Sequence, residues 1–137
     1  MDFNIEPDEF FQIVHNGREH WLTISTIGTS HPVMHVYDSM YLSASTLVKA
    51  QIATILHKVY PAITLQIIDV QMQAGSYDCG LLALTSLASL ALGKSLGQYH
   101  FQQDKMPQHL WRCFQNRKLS VFPYSKLRQA TESSVIA

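Results

Sequence analysis

The sequence has no excess of charge of one sign and no long hydrophobic run, and each shortage excludes a class of function. Its ten basic and ten acidic side chains balance, so no summed field would hold the chain on a nucleic-acid backbone or an anionic membrane. The longest apolar stretch, Leu81 to Leu92, is interrupted by three hydroxyl residues and is shorter than the roughly 20 residues of a membrane span. We therefore expect neither nucleic acid nor a membrane as a partner.

Cysteine is scarce as well, with only Cys79 and Cys113 in 137 residues. A core of ordinary size removes the need for a disulfide between them. The N-terminal segment Met1–Glu6 is acidic, where a secretory signal would be basic and then apolar. We expect a reducing compartment, the nucleus or cytoplasm, in which both cysteines are thiols.

The chain does contain enough apolar residues, 47% of the total, to bury one core. A chain of this length fits a single domain and leaves little room for a second lobe. We expect the folded domain over residues 1–123. Residues 124–137 become small and polar and are predicted to form a disordered tail.

Strands are predicted over residues 10–14, 20–27 and 33–37, which are β-favouring or alternate with period two. Asn16-Gly17 is a hairpin turn signal between the first two, and residues 28–32 break the chain before the third. The result is an antiparallel meander.

The rest of the chain alternates helix and strand. A helix capped by Ser43 or Ser45 and stopped by Pro61 is followed by a strand over residues 63–70. An apolar helix is then predicted from Gly80 to Leu92, ended by Gly93, and a last helix from Asp104 to Gln115. This pattern predicts an α+β fold in which a small, mostly antiparallel sheet packs against a central buried helix.

Cys79 falls at the predicted start of that buried helix, after a loop that contains Gly75. The backbone N–H groups and the dipole of a helix N-terminus stabilise a thiolate, and Gly80 permits the close approach of a substrate backbone. The alternative interpretation is a small buried cysteine that begins a core helix.

His20 and Asp38 are predicted to meet across two strands. A hairpin folded at Thr29 pairs residues whose numbers sum to 58, as those of His20 and Asp38 do. Such a pair has Cβ atoms about 4.5–5.5 Å apart, within reach of an imidazole-to-carboxylate hydrogen bond. The alternative is a surface pair, because a one-residue slip would put the two groups on opposite faces.

A metal site is not expected. His109 and Cys113 lie four apart on one predicted helix face, but two ligands fall short of the usual four. No phosphate-binding glycine loop or serine elbow motif is present either, so no cofactor is implied.

Three motifs resemble those of the SUMO-type proteases, the Ulp/sentrin-specific peptidases related to the adenovirus protease. They are His20-Trp21, Tyr37-Asp38-Ser39 and the run Gln-Ala-Gly-Ser-Tyr-Asp-Cys-Gly at residues 73–80. The order His, Asp, Gln, Cys is characteristic of the family, with the glutamine six residues before the nucleophile, as Gln73 is before Cys79. The resemblance covers roughly residues 15–92, more weakly to 122, and is greatest to the versions carried by animal mobile elements.

The resemblance implies a papain-like cysteine protease fold in an N-terminally shortened domain. Cys79 would be the nucleophile, His20 its base and Asp38 the group that orients the base, while Gln73 would donate to the oxyanion. The implied chemistry is acyl transfer through a thioester that water then hydrolyses.

The substrate implied is a ubiquitin-like, SUMO-like protein or its conjugates, cut after the C-terminal glycine. In the family the Gly-Gly tail passes through a tunnel roofed by two tryptophans, of which Trp21 matches one. Trp21 and Gly80 are therefore the expected substrate-binding residues. The second tryptophan has no counterpart among the nineteen residues before His20. Two other readings stay open: a protease that processes a mobile element's polyprotein, and a binding module that no longer cleaves.

Overall fold

The computed structural model describes residues 9–29, 33–56, 63–96, 99–127 and 135–136. The elements in chain order are β1 Phe11–His15, β2 Trp21–Ser25, β3 Val33–Tyr37, α1 Thr46–Leu56, β4 Thr64–Ile67, α2 Cys79–Ala91, β5 Tyr99–Phe101, α3 Met106–Asn116, β6 Tyr124–Leu127 and β7 Val135–Ile136. A 3₁₀ turn, Gln103–Lys105, leads into α3. None of the helices in these ranges is long and apolar enough to cross a membrane.

Five strands form one sheet in the order β1-β2-β3-β4-β7. The first three are antiparallel, as the meander prediction requires. β4 lies parallel to β3, with α1 in the connection between them, and β7 is antiparallel to β4. The remaining strands, β5 and β6, pair in a separate two-stranded ribbon.

The two faces of β2 are both covered, which explains why polar residues are buried there. Leu22 and Ile24 belong to a core cluster that includes Val48 and Ile52 of α1. Thr23 is fully buried, and its hydroxyl donates to the carbonyl oxygen of Ala83 in α2 at 2.7 Å. The sheet therefore lies between α1 and α2.

α2 is the central buried helix that the sequence predicts. Leu82, Ala88 and Leu90 lie in a second core cluster, which is completed by residues of β5, α3 and the segment before β6. Gly93, at φ 71°, ends the helix in the left-handed region, where a glycine has no steric penalty.

Several predicted boundaries differ from the structure. Ser45 is the residue that caps α1, since its hydroxyl accepts from the N–H of Val48 at 3.2 Å, and Pro61 lies outside the described residues. The strand expected over residues 63–70 is limited to β4. Within residues 124–137, the structure describes two paired strands, β6 and β7, while the predicted domain boundary at residue 123 stays a prediction.

Candidate active site

A five-residue loop between β1 and β2 presents His20, and Asn16 organises it. The Asn16 side-chain oxygen accepts from the N–H groups of Arg18, Glu19 and His20 at 2.9–3.1 Å. The main-chain N–H of Asn16 donates to the carbonyl of His20 at 2.8 Å. Because one buried side chain closes the whole loop, the backbone of His20 has a fixed position at the start of β2.

His20 and Asp38 form a buried pair. The distance from Nε2 of His20 to Oδ1 of Asp38 is 2.6 Å, and the two side chains are 0% and 7% exposed. The same carboxylate oxygen accepts from the N–H groups of Met40 and Tyr41 at 2.8 and 3.0 Å. These two amides fix the carboxylate, which in turn holds Nε2 of the imidazole.

The register that brings His20 and Asp38 together is not the predicted one. β2 and β3 pair residues whose numbers sum to 60, with Thr23 opposite Tyr37, so the sequence prediction of 58 is wrong. A change of two in this sum leaves both residues on the same face, where they are diagonal rather than direct neighbours. Diagonal neighbours are still within reach of long side chains, which is why the contact survives the error.

Cys79 is the first residue of α2, as the sequence predicts, and its side chain is buried. Its sulfur lies 3.9 Å from the main-chain carbonyl oxygen of Glu19, the residue before His20. The Cys79 sulfur is thus brought to the loop that carries the imidazole. Among the described residues, no group bonds Nδ1 of His20, which is buried.

Gln73 is held on both sides of its amide. The hydroxyl of Ser39 donates to Oε1 at 2.7 Å, and Nε2 donates to the carbonyl of Gly75 at 3.0 Å. A primary amide has two N–H donors, so Nε2 has one further hydrogen to give. Ser39 follows Asp38 directly, and its carbonyl also accepts from the N–H of Gln73 at 2.7 Å, which couples the two candidate residues.

Trp21 and Gly80 lie side by side. A Cβ atom built on Gly80 would be 3.8 Å from Cδ1 of Trp21. The indole is 45% exposed, and it also contacts the ring of His15, with centroids 4.6 Å apart. The partly exposed indole beside the first turn of α2 is open to a ligand.

Tyr41 was not singled out from the sequence, yet it covers the imidazole. Its ring meets that of His20 edge-on with centroids 5.3 Å apart, and its hydroxyl donates to Oε1 of Glu19 at 3.0 Å. This bond raises the pKa of the Tyr41 hydroxyl. No local pattern marks Tyr41, because its partners lie about 20 residues away in the chain.

His109 and Cys113 do meet on α3, with Nε2 of the imidazole 3.4 Å from the sulfur. Nε2 is also 3.2 Å from both the carbonyl oxygen and the hydroxyl of Ser120. Within the described residues, no group of three or more His, Cys, Asp or Glu side chains has a metal-binding arrangement.

Comparison with known proteins gives a match at the level of the fold. No protein-family model matches the sequence, and no curated protein sequence does. A structure described as SUMO protease Ulp1 with the catalytic cysteine oxidized to a sulfenic acid superposes with a TM-score of 0.57 at 15% identity, covering 82% of this chain and 55% of that one. The form with the cysteine oxidized to a sulfonic acid gives 0.56 at 17% identity, with the same coverage.

These identities establish the fold and no more. The α+β architecture with a small sheet packed on a central helix is that of the Ulp1 structures, which confirms the predicted fold class. The chain spans 55% of the length of the structures that it matches. The roles of His20, Asp38, Cys79 and Gln73 stay predictions.

Proposed function

We propose that this chain is a cysteine peptidase that cleaves after the C-terminal glycine of a SUMO-like protein and so deconjugates or processes it. In this proposal Cys79 is the nucleophile, His20 the base, Asp38 the orienting carboxylate and Gln73 an oxyanion donor. The SUMO-like substrate class is supported by the motif resemblance and by the description of the Ulp1 structures as SUMO proteases.

The observation that carries the proposal is the contrast between the two nitrogens of His20. Nε2 is bound to Asp38 at 2.6 Å, whereas buried Nδ1 has no partner among the described residues. A buried polar atom without a hydrogen bond is costly, so a site that retains one has a use for it. A carboxylate on one nitrogen fixes the tautomer and supports the imidazolium, leaving the other nitrogen to exchange a proton with a thiol.

The proposed reaction begins when Nδ1 of His20 takes the thiol proton of Cys79. The thiolate attacks the carbonyl carbon of the substrate glycine, and the carbonyl oxygen becomes an oxyanion. Nε2 of Gln73 and the N–H of Cys79 donate to it. Loss of such a donor costs on the order of 100- to 1000-fold in kcat in a serine protease.

The intermediate collapses when His20 returns the proton to the departing amine, which leaves a thioester between Cys79 and the substrate glycine. A water molecule, deprotonated by His20, then attacks the thioester carbonyl. The products are a free C-terminal carboxyl group on the SUMO-like protein and the restored thiol.

We further propose that the chain is of the mobile-element type and acts in the nucleus or cytoplasm. The sequence resemblance supports the mobile-element type. The nuclear or cytoplasmic location is supported by the two cysteines, since both are free thiols and a reducing compartment keeps them in that form.

The test is incubation of the purified full chain with SUMO and with ubiquitin, each bearing a C-terminal vinyl sulfone, scored by mass shift. We expect an adduct with SUMO that is absent in Cys79→Ala and strongly reduced in His20→Ala. Cys113→Ala is the matched control, because it removes the other thiol and should leave the adduct unchanged.

The other outcomes decide between the remaining readings. An adduct with ubiquitin alone would change the substrate class while leaving the chemistry in place. No adduct with either protein, from a chain folded by circular dichroism, would contradict the proposal and favour polyprotein processing or a binding module that no longer cleaves.

A further inference from the structure

The loop between Gln73 and Cys79 has no secondary structure of its own, although the proposed chemistry requires both of its ends to be fixed. Residues 74–77 are exposed, and Gly75 has a left-handed φ of 78°. Exposed segments of this kind are normally mobile. The local bond from Gln73 to Gly75 does not reach Asp78, so a restraint that joins the two ends of the loop has to come from another part of the chain.

Gln103 makes contact with both ends of this loop. Its Oε1 accepts from the N–H of Ala74 at 2.8 Å. Its Nε2 donates to the carbonyl of Ala74 at 3.1 Å and to Oδ2 of Asp78 at 2.9 Å. Ala74 follows Gln73 directly and Asp78 precedes Cys79 directly, so one side chain bridges the two ends.

The three bonds define a single orientation of the Gln103 amide. Oε1 accepts one bond, and each of the two N–H groups on Nε2 donates one. If the amide were flipped, Nε2 would face the N–H of Ala74, and two donors cannot bond to each other. The acceptor on Asp78 is a side-chain carboxylate oxygen, and hydrogen bonds to carboxylates are stronger than those between neutral groups.

A second glutamine makes the reciprocal contact. Gln71 accepts from the N–H of Phe101 at 2.6 Å and donates to the carbonyl of Phe101 at 3.0 Å. Gln71 thus binds the main chain two residues before Gln103, and Gln103 binds the main chain of Ala74, three residues after Gln71. Residues 71–74 and residues 101–103 are thus joined by hydrogen bonds between glutamine side chains and the main chain, and not by main-chain pairing as in a β-sheet.

We infer that Gln103 is a positioning residue for the proposed reaction, which holds Gln73 and Cys79 at their working separation. The inference rests on the proposed function. Gln103 touches neither the sulfur nor the imidazole in this structure, so it acts through the loop. Its loss should reduce the chemical step rather than the binding of the folded part of a substrate, which involves other surfaces.

The test uses the full chain with SUMO bearing a C-terminal fluorogenic aminocoumarin amide. For Gln103→Ala we expect kcat to fall by roughly 10- to 100-fold with KM within about twofold, since misplacing a catalytic group by 1 Å costs up to about 100-fold. Gln102→Ala is the matched control. It removes the same amide one residue away and retains the main-chain bonds of Gln102 to Pro123 and Lys105.

Gln103→Glu gives a readout that a purely structural role would not move. At neutral pH the new carboxylate would face that of Asp78 and could not donate to it, whereas the protonated acid can. We expect the ratio of its kcat to that of wild type to rise as the pH is lowered from about 8 towards 5.5.

Amide hydrogen exchange of the peptide spanning residues 71–78 is a second measurement, which needs no substrate. Faster exchange in Gln103→Ala than in Gln102→Ala is expected, and equal exchange would overturn the inference. Faster exchange with unchanged kcat would also overturn it, because Gln103 would then tether the loop without positioning the chemistry. If wild type turns over neither SUMO nor ubiquitin substrates, the proposed function fails and the catalytic part of the inference fails with it, while exchange still decides whether Gln103 holds the loop.

Discussion

The oxygen Oδ1 of Asp38 accepts three hydrogen bonds, one from the imidazole of His20 and two from main-chain amides. Its side chain therefore has two separable duties. One is to hold the imidazole with a negative charge, and the other is to close the turn that follows β3. Substitutions that keep one duty and remove the other can tell them apart.

Asp38→Asn should abolish most activity with little loss of stability. The amide oxygen of asparagine can still accept from Met40 and Tyr41, but it supplies no charge to an imidazolium and can bind the wrong tautomer. The corresponding change in a serine protease lowers kcat by about 10⁴, and we expect a fall of at least 10² here. Steady-state kinetics beside thermal denaturation measures both effects.

Asp38→Ala is the contrasting variant, since it leaves both amides unpaired. These amides are part-buried, and Nε2 of His20, which is fully buried, loses its acceptor as well. Since an unsatisfied buried group costs about 1–3 kcal/mol, this variant should lose stability as well as activity. Equal melting temperatures for the two variants would contradict the assigned duties of Oδ1.

His35 on β3 should make the stability of the fold depend on pH. Burial lowers the pKa of its imidazole below 6.5, while a hydrogen bond with Gln66 opposes this shift. Its Nδ1 lies within hydrogen-bond distance, 3.2 Å, of the hydroxyl oxygen of Tyr37, and burial raises the pKa of that hydroxyl to about 12. The neutral pair is thus the form that the fold accommodates.

The sign follows from which state binds the proton first. The unfolded chain, with the higher imidazole pKa, is protonated at a higher pH than the folded one, so stability falls as the pH drops from about 6.5 towards the folded pKa. We expect the urea midpoint to be lower at about pH 5.5 than at 7.5, and His35→Gln to flatten that slope. His100→Gln, at an exposed position of β5, should leave the slope unchanged.

The first turn of α2 contains Cys79, the proposed nucleophile, followed by Gly80, a residue type that weakens helices. A Cβ on Gly80 would make an ordinary contact with Trp21 at 3.8 Å, so nothing in the folded chain requires a glycine there. Gly80→Ala should therefore raise the free energy of unfolding, by up to about 1 kcal/mol.

The same substitution should lower kcat/KM by roughly tenfold or more, because the added methyl lies between the indole and the start of the helix, where a substrate backbone would approach. Gly93→Ala is the contrast at the other end of α2. With φ at 71° it should destabilise the fold and leave KM unchanged. Full activity of Gly80→Ala on a SUMO amide substrate would contradict the assigned role of Gly80.

The sequence predicts those helices and strands whose residue pattern lies within the element itself. Period-two alternation located β2, and the apolar run with Gly93 located α2. β5 and β6 were missed because each is short and the partners lie about 25 residues apart, so no local pattern announces the pairing. The extent of β4 was overestimated, since β-branched residues continue past the point where it stops pairing with β3.

The candidate site was predictable where motif order carries the information. Cys79, His20 and Asp38 were identified by position and spacing, although the strand register was off by one residue at the fold point. Ser39, Tyr41 and Gln103 were not identified, because their partners are distant in the chain. Side-chain contacts of this kind depend on packing that a single sequence does not display.

The sheet and α2 carry different parts of the proposed machinery, and a buried hydroxyl joins them. His20 and Asp38 lie at the ends of β2 and β3, while Cys79 begins α2. Thr23 donates to Ala83 from the middle of β2, one turn into that helix. This bond restrains the position of α2 along β2. It should therefore also restrain the position of the Cys79 sulfur relative to the loop that carries His20.

Thr23→Val keeps the shape and removes this bond. The carbonyl of Ala83 lies within α2 and keeps its intrahelical hydrogen bond, so the variant loses only the second bond to that oxygen, which should cost about 0.5–1.5 kcal/mol. It should also slow alkylation of Cys79 by iodoacetamide, measured in a Cys113→Ala background so that one thiol remains. Thr23→Ser retains the hydroxyl and should react as wild type does, and identical rates for Val and Ser would contradict the role assigned to the bond.

Two of the hydrogen bonds between α2 and the β1–β2 hairpin, from Thr23 to Ala83 and from Cys79 to Glu19, each span 60 residues of chain. Closing a loop of that length costs entropy that only later contacts repay, so contacts of this kind form late in folding. The β1–β2 hairpin needs only neighbouring residues and can form early. A chain still emerging from the ribosome would thus display its histidine loop well before the sulfur reaches it, and the proposed activity would appear as one of the last events of biosynthesis.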